Sequence, residues 1–178
     1  VGEMRDQTTA EIGMRAAIIV HMFFLILHTI DVISTPIRLL DMGVPRYMVA
    51  LSLQLVLAQR LVRVVCENCA EPHTPAPHEH EWLRYELVDT VDQRKYVHGK
   101  GCANCGGTGY NGRTGVYEML EMTNEIVEAL NAEDTGVFVQ AARKQMAGET
   151  LRRDAVRLVV KGRTTIEEAM RISNQFED

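Results

Sequence analysis

The 178 residues predict an α/β core, an arm stapled to it by a metal ion, and an all-α C-terminal region. Three features lead there. MFFLIL, Met22 to Leu27, is a continuous apolar run of aromatic and branched side chains, as in a parallel strand covered on both faces. Cys66 and Cys69 form one C-x2-C pair and Cys102 and Cys105 a second, with 32 residues between the pairs. From Thr123 onward the apolar spacing is helical and punctuated by caps. The chain divides accordingly into a core at 1–65 and 106–122, an arm at 66–105 and a helical region at 123–178.

TTAEIGMRAAI, Thr8 to Ile18, carries Ile12, Ala16 and Ala17 at helical spacing, with Thr8 or Thr9 as N-cap, and feeds the strand at Met22. STPIRLLDMG is a second helix, with Thr35 as cap, Pro36 at the first helical position and Gly43 past the end. Pro45 to Val62 has the pattern of a long apolar helix leading into an extended RLVRVV. Pro72, Pro75 and Pro77 make the arm, Glu67 to Lys100, a loop rich in His and Glu. The chain returns as a strand from Arg113 to Met122. Thr123 then caps a helix at 124–130, further helices occupy 137–147 and 149–161, and Gly162 stops the last of these. TIEE, Thr165 to Glu168, is a capping box opening the final helix.

Apolar residues make up 46% of the chain, enough for a real core, and the net charge of -5 offers no basic footprint for nucleic acid. The most apolar stretch, 16–33, is split by His21 and ended by His28. It falls short of the ~20 apolar residues of a spanning helix, so no transmembrane segment is expected.

Two C-x2-C turns, each aiming two sulfurs at one spot, complete the tetrahedral shell of a structural Zn2+. Two disulfides are the competing arrangement; they need an oxidising compartment, and no signal peptide heads the sequence. A redox C-x2-C would need only one pair. His73, His78 and His80 lie between the pairs as substitute ligands or as solvated loop histidines.

VGEMRD sets Glu3, Arg5 and Asp6 just ahead of a helix, where open α/β sheets bind ligands at the carboxyl ends of their strands. A glutamate there can orient or deprotonate an attacking water while a nearby acid helps hold Mg2+; an acidic helix cap is the plainer alternative. His28 ends the next apolar strand, on the same sheet edge as Glu3 if the two run parallel, and can donate to a phosphate or sit as a satisfied strand-end histidine. In GYNGRTG, Gly109, Gly112 and Gly115 allow tight turning while Arg113 is presented from a short segment, as a phosphate fork or an ordinary hairpin arginine.

Taken together, VGEMRD and its helix, His21 and His28, DMGV, LAQRLVR, the four cysteines, GYNGRTGVYEML and IEEAMRI resemble the type II secretion and type IV pilus assembly ATPases of the type II/IV secretion superfamily. The tetracysteine form resembles the extension motors, including those of mannose-sensitive haemagglutinin-type pili. The resemblance implies the second half of a RecA-like P-loop NTPase core in a homo-hexamer. Such a motor is cytoplasmic, peripheral at the bacterial inner membrane, works on a membrane platform protein, and uses ATP, Mg2+ and Zn2+. It implies Glu3 as catalytic glutamate, Arg5 and Asp6 as the aspartate box, His21 and His28 as the histidine box, Arg113 as an arginine approaching nucleotide, and Arg60 as a weaker candidate of that kind. No G-x4-G-K-[ST] occurs in these residues, so this stretch alone is expected to be inactive as an ATPase. Where the family has Thr-Gly, Ser-Thr and Asn around the histidines, this chain has Ile19-Val20, Leu25-Ile26 and Ile30. Those swaps define the alternative, a non-hydrolytic, zinc-stabilised assembly module of the same machinery.

Overall fold

The computed structural model describes Met4, Asp6–Ile19 and Met22–Ser173. Two compact units emerge. The first joins the chain up to Ala58 with Glu118–Gly148, and the second joins Gln59–Tyr117 with the chain from Glu149 onward.

In the first unit, α1 (Gln7–Ile19) buries Ala10, Gly13 and Met14. Its cap is Asp6, not Thr8 or Thr9: the Asp6 carboxylate accepts from the Thr9 N–H at 2.9 Å and the Thr9 hydroxyl at 2.8 Å. Helix and extended chain lie close, since a Cβ on Gly13 would come within 3.3 Å of the Phe23 ring. The segment 22–27 differs from the expected strand. Only Ile26 forms a bridge there, and burial alternates: Phe23, Leu25 and Leu27 are half-buried, while Met22 (83% exposed), Phe24 (77%) and Ile26 (59%) point outward. A continuous apolar run does not itself decide how many faces are covered, and among the described residues one face is.

α2 (Ser34–Asp41) is started by Asp31, whose Oδ1 accepts from the Ser34 N–H at 2.6 Å while the Ser34 hydroxyl accepts from the Asp31 N–H at 3.2 Å. Thr35 is therefore free of capping duty, and its hydroxyl bonds that of Thr29 at 2.8 Å. Pro36 sits in the first turn, where its missing N–H costs nothing, and Gly43 ends the segment at φ +91°. The long helix expected over Pro45–Val62 stops early. α3 spans Arg46–Ser52, and Leu55–Val65 is a strand, β1. Its partner is β4 (Tyr110–Glu121). Met122 N–H donates to Gln54 C=O and Cys66 N–H to Gly109 C=O, each at 2.9 Å, so the two strands run in opposite directions. Pairing with a segment more than 40 residues away overrides a helical apolar pattern that local sequence suggests. α5 (Asn124–Asn131) has its expected Thr123 cap, and α6 (Thr135–Met146) is capped by Asp134. Leu39, Val49, Leu120, Ile126, Leu130 and Phe138 close the core of this unit with no exposure.

The arm is more regular than its composition suggests. β2 (Ala70–His73) pairs antiparallel with β3 (Tyr96–Gly99), Ala70 opposite Gly99 and His73 opposite Tyr96. Pro77, expected to break the chain, opens α4 (Pro77–Leu87) at the position where proline is best tolerated. In the same unit α7 (Leu151–Val160) brings Arg152 over the rings of Trp82 (4.7 Å) and Tyr85 (4.3 Å), with its guanidinium donating to the Trp82 carbonyl at 2.7 Å. Gly162 ends α7 at φ +68° as expected.

The expected capping box at α8 (Ile166–Ser173) is half made. Thr165 Oγ1 accepts from the Glu168 N–H at 3.2 Å, but the Glu168 carboxylate does not turn back to the cap. Fully buried, it accepts from the Arg63 N–H at 2.8 Å, the Arg63 guanidinium at 2.7 Å and Arg171 at 3.2 Å. Burial would raise its pKa, but the Arg63 and Arg171 bonds outweigh burial and hold it at about 2. Since the unperturbed value is 4.5, this stabilisation is complete above pH 4.5 and is lost as pH falls towards about 2. With one partner half-exposed and screened, we expect Glu168→Ala to cost about 2 kcal/mol in urea unfolding at neutral pH and to flatten the acid limb of the stability curve.

Candidate functional site

Each C-x2-C pair folds into a tight turn: Cys69 N–H donates to Cys66 C=O at 3.1 Å, and Cys105 N–H to Cys102 C=O at 3.3 Å. The turns face one another. Sulfurs of Cys66 and Cys102 lie 3.9 Å apart, as do those of Cys69 and Cys105, and Cys102 and Cys105 are 3.8 Å apart. All four fall within 4.8 Å of one another. A tetrahedron with metal–sulfur bonds of ~2.3 Å has edges of about 3.8 Å, so the spacing fits one ion. It does not fit disulfides, whose sulfurs stand ~2.05 Å apart, and the four cysteines are free. A closed set of four thiolate donors leaves no open position for substrate, which makes the site structural.

N–H groups surround the sulfurs. Cys105 Sγ accepts from the N–H of Cys102 and of Gly109, each at 3.2 Å, and Asn104 Nδ2 stands 3.8 Å from Cys66 Sγ. The Cys102 N–H, with Gly109 in support, brings the Cys105 thiol down to about 6, whereas burial pushes Cys69 up to about 12. The arm histidines are engaged elsewhere: His73 Nε2 lies 2.8 Å from Glu79 Oε2 and His80 Nε2 lies 3.1 Å from Asp92 Oδ1, while His78 is exposed.

Gly109 connects this cluster to β4. Besides its bonds to Cys105 and Cys66, it crosses Gly99 so closely that a Cβ on either residue would strike the other's backbone. Arg113 follows on the same strand, exposed, just beyond Gly112 at φ +80°. At Gly115 a side chain would meet only the exposed Tyr117 phenol, which can move aside.

The other candidates divide. Glu3, Arg5 and His21 lie outside the described residues. Asp6 caps α1 and stays ionised, its carboxyl lowered chiefly by the Thr9 N–H. Met4 N–H donates to Ile26 C=O at 3.1 Å, so Met4 lies beside the segment that ends at His28. His28 itself is exposed, and Arg60, partly exposed, donates to the Gln59 carbonyl at 3.1 Å. One group escaped sequence reasoning. Glu118 is 6% exposed, and its Oε1 accepts from the Val32 N–H at 3.0 Å. Its signal was present in GVYEML, where alternation puts it on the face of Val116 and Leu120.

The sequence pattern of the Type II/IV secretion system protein family matches residues 1–171. The "Type IV pilus assembly ATPase PilB" of Thermus thermophilus is 37% identical over 170 residues, 96% of this chain and 19% of that protein. The "Type II secretion system protein E" of Aeromonas hydrophila is 34% identical over 98% of this chain and 34% of its own length. The chain therefore spans between about a fifth and a third of these relatives. In fold it matches the pilus retraction motor PilT bound to ADP, with a TM-score of 0.62 and 23% identity over 97% of this chain and 38% of that one. The ATPase DotB of Legionella pneumophila gives the same TM-score at 20% identity, over 98% of this chain and 38% of that one. With its α/β architecture, its helical C-terminal part and its four converging cysteines, this chain belongs to the type II/IV secretion system protein family.

Proposed function

We propose that this chain is the C-terminal portion of a hexameric ATPase that hydrolyses ATP to drive assembly of a type IV pilus or of a type II secretion pseudopilus. The observation that carries this is the family match over residues 1–171, supported by relatives named for pilus assembly and secretion. A P-loop elsewhere in the full-length protein grips the triphosphate and Mg2+. Glu3 orients or deprotonates the attacking water, and His28 offsets charge developing on the γ-phosphate. Arg5, Asp6, His21 and Arg113 contact nucleotide or its metal; the ionised carboxylate of Asp6 and the exposed guanidinium of Arg113 suit those roles. The motor acts at the cytoplasmic face of the inner membrane on a platform protein. In keeping with a peripheral position, no helix among the described residues is long and apolar enough to cross a membrane. Zn2+ is the ion proposed for Cys66, Cys69, Cys102 and Cys105, on the fit of the sulfur spacing.

A second reading, an assembly module that does not hydrolyse ATP, draws on Ile19 and Ile26, which are 71% and 59% exposed where the family resemblance calls for small or polar residues. Turnover by the full-length hexamer separates the two. We expect steady-state ATP hydrolysis that falls at least ~100-fold on Glu3→Gln, the scale of a lost general base; a full-length protein with no turnover would favour the assembly module. For the metal, atomic absorption on reduced protein is expected to find about one zinc per chain. Chelation should then speed amide exchange across residues 66–113 while α5 and α6 keep their protection.

A further inference from the structure

We propose that Glu118 is the positioning residue of the His28 segment, its buried carboxylate pinning the turn at Asp31–Ser34 and thereby setting where the His28 imidazole stands. The proposal rests on the role given above to His28. Along β4 the buried face runs Val116, Glu118, Leu120, with exposures of 0%, 6% and 0%. A leucine would pack there without the desolvation cost of a carboxylate, so the charge calls for a polar duty. That duty is visible. Glu118 Oε1 accepts from the Val32 N–H at 3.0 Å, across 86 residues of sequence. Val32 is wholly buried, and its N–H would otherwise face the core unpaired.

The turn so held is stiff. Asp31 and Ser34 bond one another reciprocally, and the Thr29 and Thr35 hydroxyls, 2.8 Å apart, tie the stretch just after His28 to the first turn of α2. Upstream, the alternation of 22–27 sets the direction of His28, which is exposed on the side shared by Met22, Phe24 and Ile26. The Glu118 bond adds a further coordinate, anchoring the segment to the sheet four residues beyond the imidazole. Displacing a reacting group by an ångström costs as much as ~100-fold in rate.

The test uses the full-length hexamer with Glu118→Leu, which removes the acceptor, and Glu118→Gln, which keeps an acceptor oxygen in the same place. Glu118→Leu should lower kcat about 10- to 100-fold with little change in the KM for ATP, accelerate exchange of the Val32 amide and shift the His28 imidazole resonance. Glu118→Gln should restore most of kcat and return both signals towards the parent protein. The proposal is overturned if Glu118→Leu leaves the Val32 amide and the His28 resonance unmoved, or if Glu118→Gln disturbs them, which also decides the matter should the leucine variant fail to fold. If His28→Gln leaves turnover intact while Glu118→Leu still moves the His28 resonance, the positioning role stands and the catalytic role of His28 falls.

Discussion

Four sulfurs at van der Waals distance, drawn from two turns 36 residues apart, are the constraint around which the second unit is organised. Nothing in a thiol favours such company; the arrangement is stable once a cation replaces the protons and the surrounding N–H groups share the thiolate charge. A two-stranded ribbon as short as β2–β3 is marginal by itself. Here the Ala70–Gly99 end of the ribbon adjoins the cysteine cluster, where the Lys100 N–H donates to the Cys69 carbonyl at 3.0 Å, so an ion held by the four sulfurs would also hold that end closed. The same cluster places the start of β4, and with it the glycine-flanked segment that presents Arg113.

Elsewhere the fold depends on buried carboxylates used in one consistent way. Glu79, Glu118 and Glu168 are 8%, 6% and 0% exposed, and each accepts a main-chain N–H: from Ala76, Val32 and Arg63 respectively. Each such bond fixes irregular or distant backbone to a regular element, α4, β4 or α8. An apolar side chain would fill the same space but could not specify where the opposing backbone sits, and a half-satisfied carboxylate would cost several kcal/mol. These glutamates therefore act as locators, and their cost is offset by the backbone they satisfy.

What was legible beforehand follows the range of the interactions. The cysteine spacing announced the convergence of four sulfurs, and the local signals of Thr123 and Gly162 placed helix ends correctly, because capping is settled within four residues. Features set by distant partners were not legible. The stretch before RLVRVV, from Leu55, has helical apolar spacing but is held as a strand by β4, whereas RLVRVV itself is extended as expected, and α4 in the His- and Glu-rich arm packs Trp82 and Tyr85 against Arg152, about 70 residues on. Asp6 appeared as a motif residue and also serves as a cap, a dual use that sequence cannot divide. Glu168 was identified at the right place with the wrong partner, since a capping box and a buried ion pair share the same letters.

Gly109 is bonded to a cysteine sulfur on one side and to the Cys66 N–H on the other, with Gly99 pressed against it, so this peptide has almost no freedom of its own. Extended chain advances about 3.3 Å per residue and this strand turns at Gly112 (φ +80°), so Arg113 stands at most about 13 Å from that clamped point. Over such a distance a tilt of roughly a tenth of a radian at the clamp sweeps the far end through up to about 1 Å. The knuckles consequently act as a fulcrum for this strand, with its pairing to β1 steadying the far end.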